Sequence, residues 1–81
     1  MKLPRDIGGY ALASLLAKYG YQTMHQTGSH IRLVSSIKSR QHCITIPAHK
    51  TLKVGTLSGI LKDVASYLEM DFPKLCKELF E

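Results

Sequence analysis

Between Ile7 and Lys62 the chain contains neither aspartate nor glutamate, a gap of 56 residues in a sequence of 81. Such a span cannot supply the paired carboxylates of glycoside hydrolysis or of carboxylate acid/base chemistry. Nor does it offer the hard oxygen ligands that magnesium and calcium need, and a two-metal nuclease would have to draw every carboxylate from the two ends. Cysteine is also scarce. Cys43 and Cys76 are too few for a secreted disulfide scaffold, and neither stands in a Cys-x-x-Cys pair or at zinc-ligand spacing from a histidine. Both read as buried small hydrophobes of a reduced protein, and the expectation is no metal and no cofactor. No apolar run approaches the roughly 18 residues of a membrane span. The start, Met1 to Asp6, lacks the apolar core of a signal peptide, so the expected setting is soluble and cytoplasmic. Repeats, linkers and low-complexity tracts are missing too, and residues 1–81 read as a single domain.

What the chain does have is positive charge, and its layout matters more than its total. Eleven Lys and Arg against six Asp and Glu give +5. The acid-free span holds seven of the basic residues and all four histidines, whereas Asp63 to Glu81 carries five acids and two bases. Abundant extended polyanions in a cell are nucleic acids, so the span points to a surface for RNA or DNA.

Hydrophobic periodicity orders the elements. Leu12, Leu15, Leu16 and Tyr19 follow i, i+3, i+4, i+7, which predicts a helix from about Gly8 to Tyr19, with Asp6 as cap and Gly20 at its left-handed end. Tyr21 to Gln26 reads as a strand, and Thr27-Gly28-Ser29 as turn chemistry. In the strand His30 to Ser35, Ile31 and Leu33 face one side and His30, Arg32 and Val34 the other. A third strand, His42 to Ile46, ends at Pro47. After a basic loop, Gly55-Thr56 opens a helix with Thr56 as N-cap, and Leu57, Ile60, Leu61, Val64 and Leu68 form its apolar stripe. Asp71 caps a short last helix packed through Phe72, Leu75, Leu79 and Phe80. The predicted class is α+β: a three-stranded antiparallel sheet with helices on one face and the other face wet.

Two candidate sites fall inside the acid-free span. The first is the strand edge: His30 and Arg32 two residues apart on the wet face, beside the Gly28 turn and the Ser29 hydroxyl. Histidine exchanges a proton near neutral pH, and an arginine fork can meet charge developing on a phosphate, a pairing suited to phosphodiester chemistry. The second is the helix start, where Lys50, Lys53 and the amides around Gly55 and Thr56 converge at the positive end of a helix dipole. His49 shares that loop, while His25 and His42 read as packing or surface residues. An exposed strand edge and an ordinary capped helix would account for the same residues without chemistry.

Taken together, Gly28-Ser29-His30-Ile31-Arg32-Leu33 after Tyr19-Gly20-Tyr21, then Ile46-Pro47-Ala48-His49, and Leu52-Lys53-Val54-Gly55-Thr56-Leu57 with Ile60-Leu61 behind it, resemble the HicA (YcfA-like) family of mRNA interferase toxins. The likeness runs from about Leu3 to Val64. It implies a double-stranded-RNA-binding-domain-like α-β-β-β-α fold, here with an extra C-terminal helix. It also implies metal-independent cleavage of mRNA with His30 as the catalytic residue, and a HicB-like antitoxin partner covering the His30 face. In that picture Lys50, Lys53 and Arg32 hold phosphates, with Lys38 or Arg40 as further contacts. His30 serves as base to the 2′-hydroxyl or as acid to the leaving oxygen, and His49 is the candidate for the second group. Where relatives turn at Ala-Gly-hydrophobic this chain has Ala65-Ser66-Tyr67, so its helix is expected to run to about Met70. A non-catalytic RNA-binding module and a basic face for an acidic protein are the competing readings.

Overall fold

The computed structural model describes residues 3–81; Met1 and Lys2 lie outside the described residues. The order is α1 (Gly9–Leu16) with a closing 3-10 turn (Ala17–Tyr19), β1 (Gln22–Thr27), β2 (His30–Ser35), β3 (His42–Pro47), α2 (Val54–Leu68) and α3 (Phe72–Phe80). The strands form one antiparallel sheet in the order β1-β2-β3, so the α+β class and its α-β-β-β-α-α order stand. The thinnest dimension is 17 Å, the depth of two layers.

Alternation in β2 decides what lies inside. Ile31 and Leu33 are 1% exposed and, with Ile44 and Ile46 of β3, meet Leu12 and Leu16 of α1 and Leu57, Leu61 and Val64 of α2. His30 and Arg32 point the other way and are exposed, which leaves that face wet as expected. β1 differs from both other strands, since all six of its residues are exposed. The helices cover β2 and β3, and β1 overhangs them.

Several local expectations are corrected. Asp6 does not cap α1; Gly8 occupies the N-cap, and the Gly9 N–H is taken by the His49 carbonyl at 3.0 Å. The chain itself satisfies that amide, so no carboxylate is needed there. A Cβ on Gly9 would stand 2.0 Å from the Pro47 carbonyl oxygen, and one on Gly8 2.5 Å from that of Lys50. The two glycines let the start of α1 lie directly on the 47–52 loop.

Thr56 is not the N-cap of α2. The helix begins three residues earlier, with extended Lys53 at the cap and the Leu57 N–H bonded to the Lys53 carbonyl at 2.9 Å. Thr56 thus lies inside the first turn, because the Leu57–Leu61–Val64 stripe, rather than a hydroxyl, sets where the helix starts. α2 ends at Leu68 rather than Met70, closed by Glu69 at φ 56°. Asp71 does occupy the cap of α3, without a side-chain bond. Cys76 is buried, but Cys43 is exposed, since it pairs with Val34 on the wet face.

Candidate nucleic-acid interface

The wet face of the sheet is built in rows by the strand register. Thr27, His30 and Pro47 lie side by side across β1, β2 and β3; the next row is His25, Arg32 and Thr45. Gly28 and Ser29 form the two-residue turn that joins β1 to β2, with Gly28 at φ 56°. Glycine at the first central position is the chemistry of a tight hairpin turn. Nothing approaches within 4 Å of where a Gly28 Cβ would stand, so the turn is open to solvent on that side. The Ser29 carbonyl accepts from the Ala48 N–H at 2.7 Å, which ties the exit of β3 to the turn. His30 therefore stands at the sheet end from which the His49–Lys53 loop departs.

That loop is fixed from both sides. The His49 carbonyl holds the Gly9 N–H, and the Leu52 N–H donates to the Ile7 carbonyl at 2.8 Å, while the Leu52 side chain is buried. His49, Lys50 and Lys53 remain exposed. Among the described residues no side chain caps the first turn of α2, which leaves the amides of Val54, Gly55 and Thr56 as donors for an anion beside the two lysines. The two sequence-derived sites thus share one end of the molecule.

Lys38 and Arg40 are not brought to that end. They sit in the β2–β3 connection, the length of β2 away from His30, about 17 Å at strand rise. Lys38 pairs with Glu69 at 3.7 Å, and the Arg40 guanidinium lies 5.8 Å from the Tyr67 ring centre. Nearby, a hollow of about 420 Å³ is lined in part by Met24, Val34 and Ile37. It too lies away from His30, whose surroundings are an open surface.

A feature that the sequence reading did not find is the position of His25. Plain alternation from buried Tyr21 would carry Thr23 and His25 to the helix side. The ladder slips between Thr23, which pairs with Leu33, and His25, which pairs with Arg32. Met24 is the extra residue of this bulge, and the slip returns His25 to the wet face. Its Nε2 lies 2.7 Å from the Thr27 hydroxyl. No feature of the residues around Met24 announced the bulge.

His42 stands in contrast. On the covered side, its Nε2 lies 3.2 Å from Asp63 Oδ1, and its Nδ1 lies 2.6 Å from the Tyr21 hydroxyl. With Nε2–H donating to the carboxylate, Nδ1 accepts the Tyr21 proton. Its ring stacks on Tyr67 at 4.7 Å, and the Tyr67 hydroxyl donates to the Arg40 carbonyl at 2.6 Å. Burial, with Tyr67 and Asp63 close by, pushes the Tyr21 hydroxyl well above the ordinary tyrosine range. This cluster fastens the β2–β3 connection to α2 and uses up the histidine in doing so.

No helix among the described residues is long and apolar enough to cross a membrane. A family model described as the HicA toxin of bacterial toxin–antitoxin pairs matches residues 9–65, well over half of the chain. No curated protein and no solved structure matches it.

Proposed function

The chain belongs to the HicA toxin family of bacterial toxin–antitoxin systems, and on that premise we propose that it is a metal-independent mRNA interferase whose catalytic group is His30. Membership makes it the toxin of such a pair, with a cognate antitoxin as partner. The observation that carries the catalytic reading is the exposed row of the sheet end. His30 is exposed on the wet face, Arg32 is two residues along the same strand, and no carboxylate precedes Asp63 in the span that builds the face.

RNA docks through phosphate contacts to Arg32, Lys50 and Lys53 and to the free amides of the first turn of α2, with Gly28 and Ser29 bordering the reacting phosphate. The His30 imidazole then acts on the ribose 2′-hydroxyl or on the leaving 5′-oxygen. Help of this kind is worth roughly 10²–10⁴-fold in rate. Arg32 stabilises charge gathering on the nonbridging oxygens. Cleavage of mRNA in the cytoplasm arrests translation and growth. A HicB-like antitoxin that covers the His30 face silences the toxin, and its acidic groups would complement a surface whose own acids are elsewhere.

A second reading, a non-catalytic RNA-binding module, draws on the uncapped start of α2 beside Lys50 and Lys53. Double-stranded RNA binders read phosphates and shape in this way. Inducible expression of the wild type and of His30→Ala separates the two. The interferase reading expects growth arrest and mRNA loss with the wild type alone. Equal arrest by both proteins would overturn the role of His30.

A further inference from the structure

We infer that His25 is the second acid/base group of the cleavage reaction, working with His30 across the β1–β2 hairpin. The inference rests on the interferase reading of the wet face and adds to it a residue that alternation along β1 would send to the other side.

Three observations converge. The slip at Met24 is what turns His25 to the face of His30 and Arg32, and bulges beside functional sites commonly re-aim one side chain in this way. Register then puts His25 directly opposite Arg32 and diagonal to His30, whose own opposite neighbour is Thr27. Diagonal cross-strand neighbours stand about 7–8 Å apart and within reach of aromatic side chains. A phosphate held by a hydrogen bond at each side fills such a gap. Finally, the imidazole of His25 is turned along the strand toward Thr27, with Nε2 2.7 Å from its hydroxyl, so the ring leans toward the His30 row.

The charged and titratable neighbours on this face are few. Arg32 faces His25 from β2, His30 lies on the diagonal, and β3 contributes uncharged Thr45 and Pro47 to the two rows. Neither row places a carboxylate against either imidazole.

The chemistry needs two such groups. One neutral imidazole takes the proton of the 2′-hydroxyl as the 2′-oxygen forms its bond to phosphorus. The P–O5′ bond breaks with its electron pair leaving on the 5′-oxygen, and the other imidazole, protonated, gives that oxygen its proton. The products are a 2′,3′-cyclic phosphate and a 5′-hydroxyl, with no redox change. His49 is less well placed for this role, since it lies in the loop beyond the sheet with its backbone carbonyl held by Gly9.

The test is single-turnover cleavage of an oligoribonucleotide in EDTA, followed against pH, for the wild type, His25→Ala, His25→Gln, His30→Ala and His49→Ala. β1 is exposed along its length, so the His25 variants should keep the wild-type circular dichroism and melting. The expected result is a bell-shaped wild-type profile that loses one limb in both His25 variants, with a rate loss of roughly 10²–10⁴-fold. An RNA carrying sulfur at the bridging 5′ position, whose departure needs no protonation, should rescue whichever histidine variant lacks the acid. A His25→Ala profile with both limbs intact, or the missing limb appearing only in His49→Ala, would overturn the assignment. If the wild type does not cleave, the interferase reading itself fails; if His30→Ala cleaves like the wild type, the role of His30 falls; if only the His25 variants do, this inference alone falls.

Discussion

Histidine appears on both faces of the same sheet, and the two faces make opposite use of it. On the covered side His42 is held between Tyr21, Tyr67 and Asp63, so its ring nitrogens already have partners and its surroundings include a carboxylate. On the wet side His30 has Arg32 for company and His25 on the diagonal, in a region to which the sequence contributes no acid. The difference shows why counting histidines says little. A carboxylate and a tyrosine make one into a fastening, while an exposed row beside an arginine leaves the other open to solvent.

The sharpest way to break this contrast is to remove each histidine and measure two properties. For His30→Ala the expected outcome is a fall in RNA cleavage of roughly 10²–10⁴-fold with an unchanged unfolding midpoint. His42→Ala should do the reverse. It orphans the buried Tyr21 hydroxyl, which costs about 1–3 kcal/mol in urea unfolding, while cleavage per folded molecule stays at the wild-type level. Loss of activity in a folded His42 variant would dissolve the distinction.

A smaller effect should appear at alkaline pH, and only from the covered side. Burial and the hydrogen bond to Glu78 push the Tyr19 hydroxyl up to about 12, and Tyr21 is raised as well. Both stay protonated in the fold after they would ionise in the unfolded chain. Their contribution is thus complete below the ordinary tyrosine range near 10 and is lost as pH rises toward about 12. Urea midpoints should fall across that window, and Tyr19→Phe should flatten part of the fall. The smallest effect belongs to the lysines. Removing Lys50 or Lys53 should weaken RNA binding without regard to sequence. On single strands, each phosphate left without its lysine should lower the slope of log affinity against log salt by about 0.7.

Much of this could be read from the residues. Alternation in β2 assigned Ile31 and Leu33 to the core and His30 and Arg32 to solvent, because only one face of a two-layer sheet can be buried. The turn at Gly28 and the left-handed end at Gly20 followed from glycine's freedom at positive φ. What escaped were features that depend on residues far apart in sequence. Lys53, not Thr56, opens α2, because burial of the Leu57 stripe outweighs a hydroxyl cap. Asp6 is displaced by a carbonyl from a distant part of the chain, that of His49. Cys43 is exposed because its partner is Val34. The bulge at Met24, which decides where His25 points, left no mark in β1 alone, since a register slip is a property of two strands together.

If the acid-free wet face cuts RNA with its own histidine chemistry, the cut ends carry its signature. The most direct test is the chemical nature of the cut ends made by the purified toxin in EDTA. The expected ends are 2′,3′-cyclic phosphate and 5′-hydroxyl from the wild type, with none from His30→Ala. Ends bearing a 3′-hydroxyl and a 5′-phosphate, or cleavage that returns only when a divalent metal is added, would contradict that chemistry.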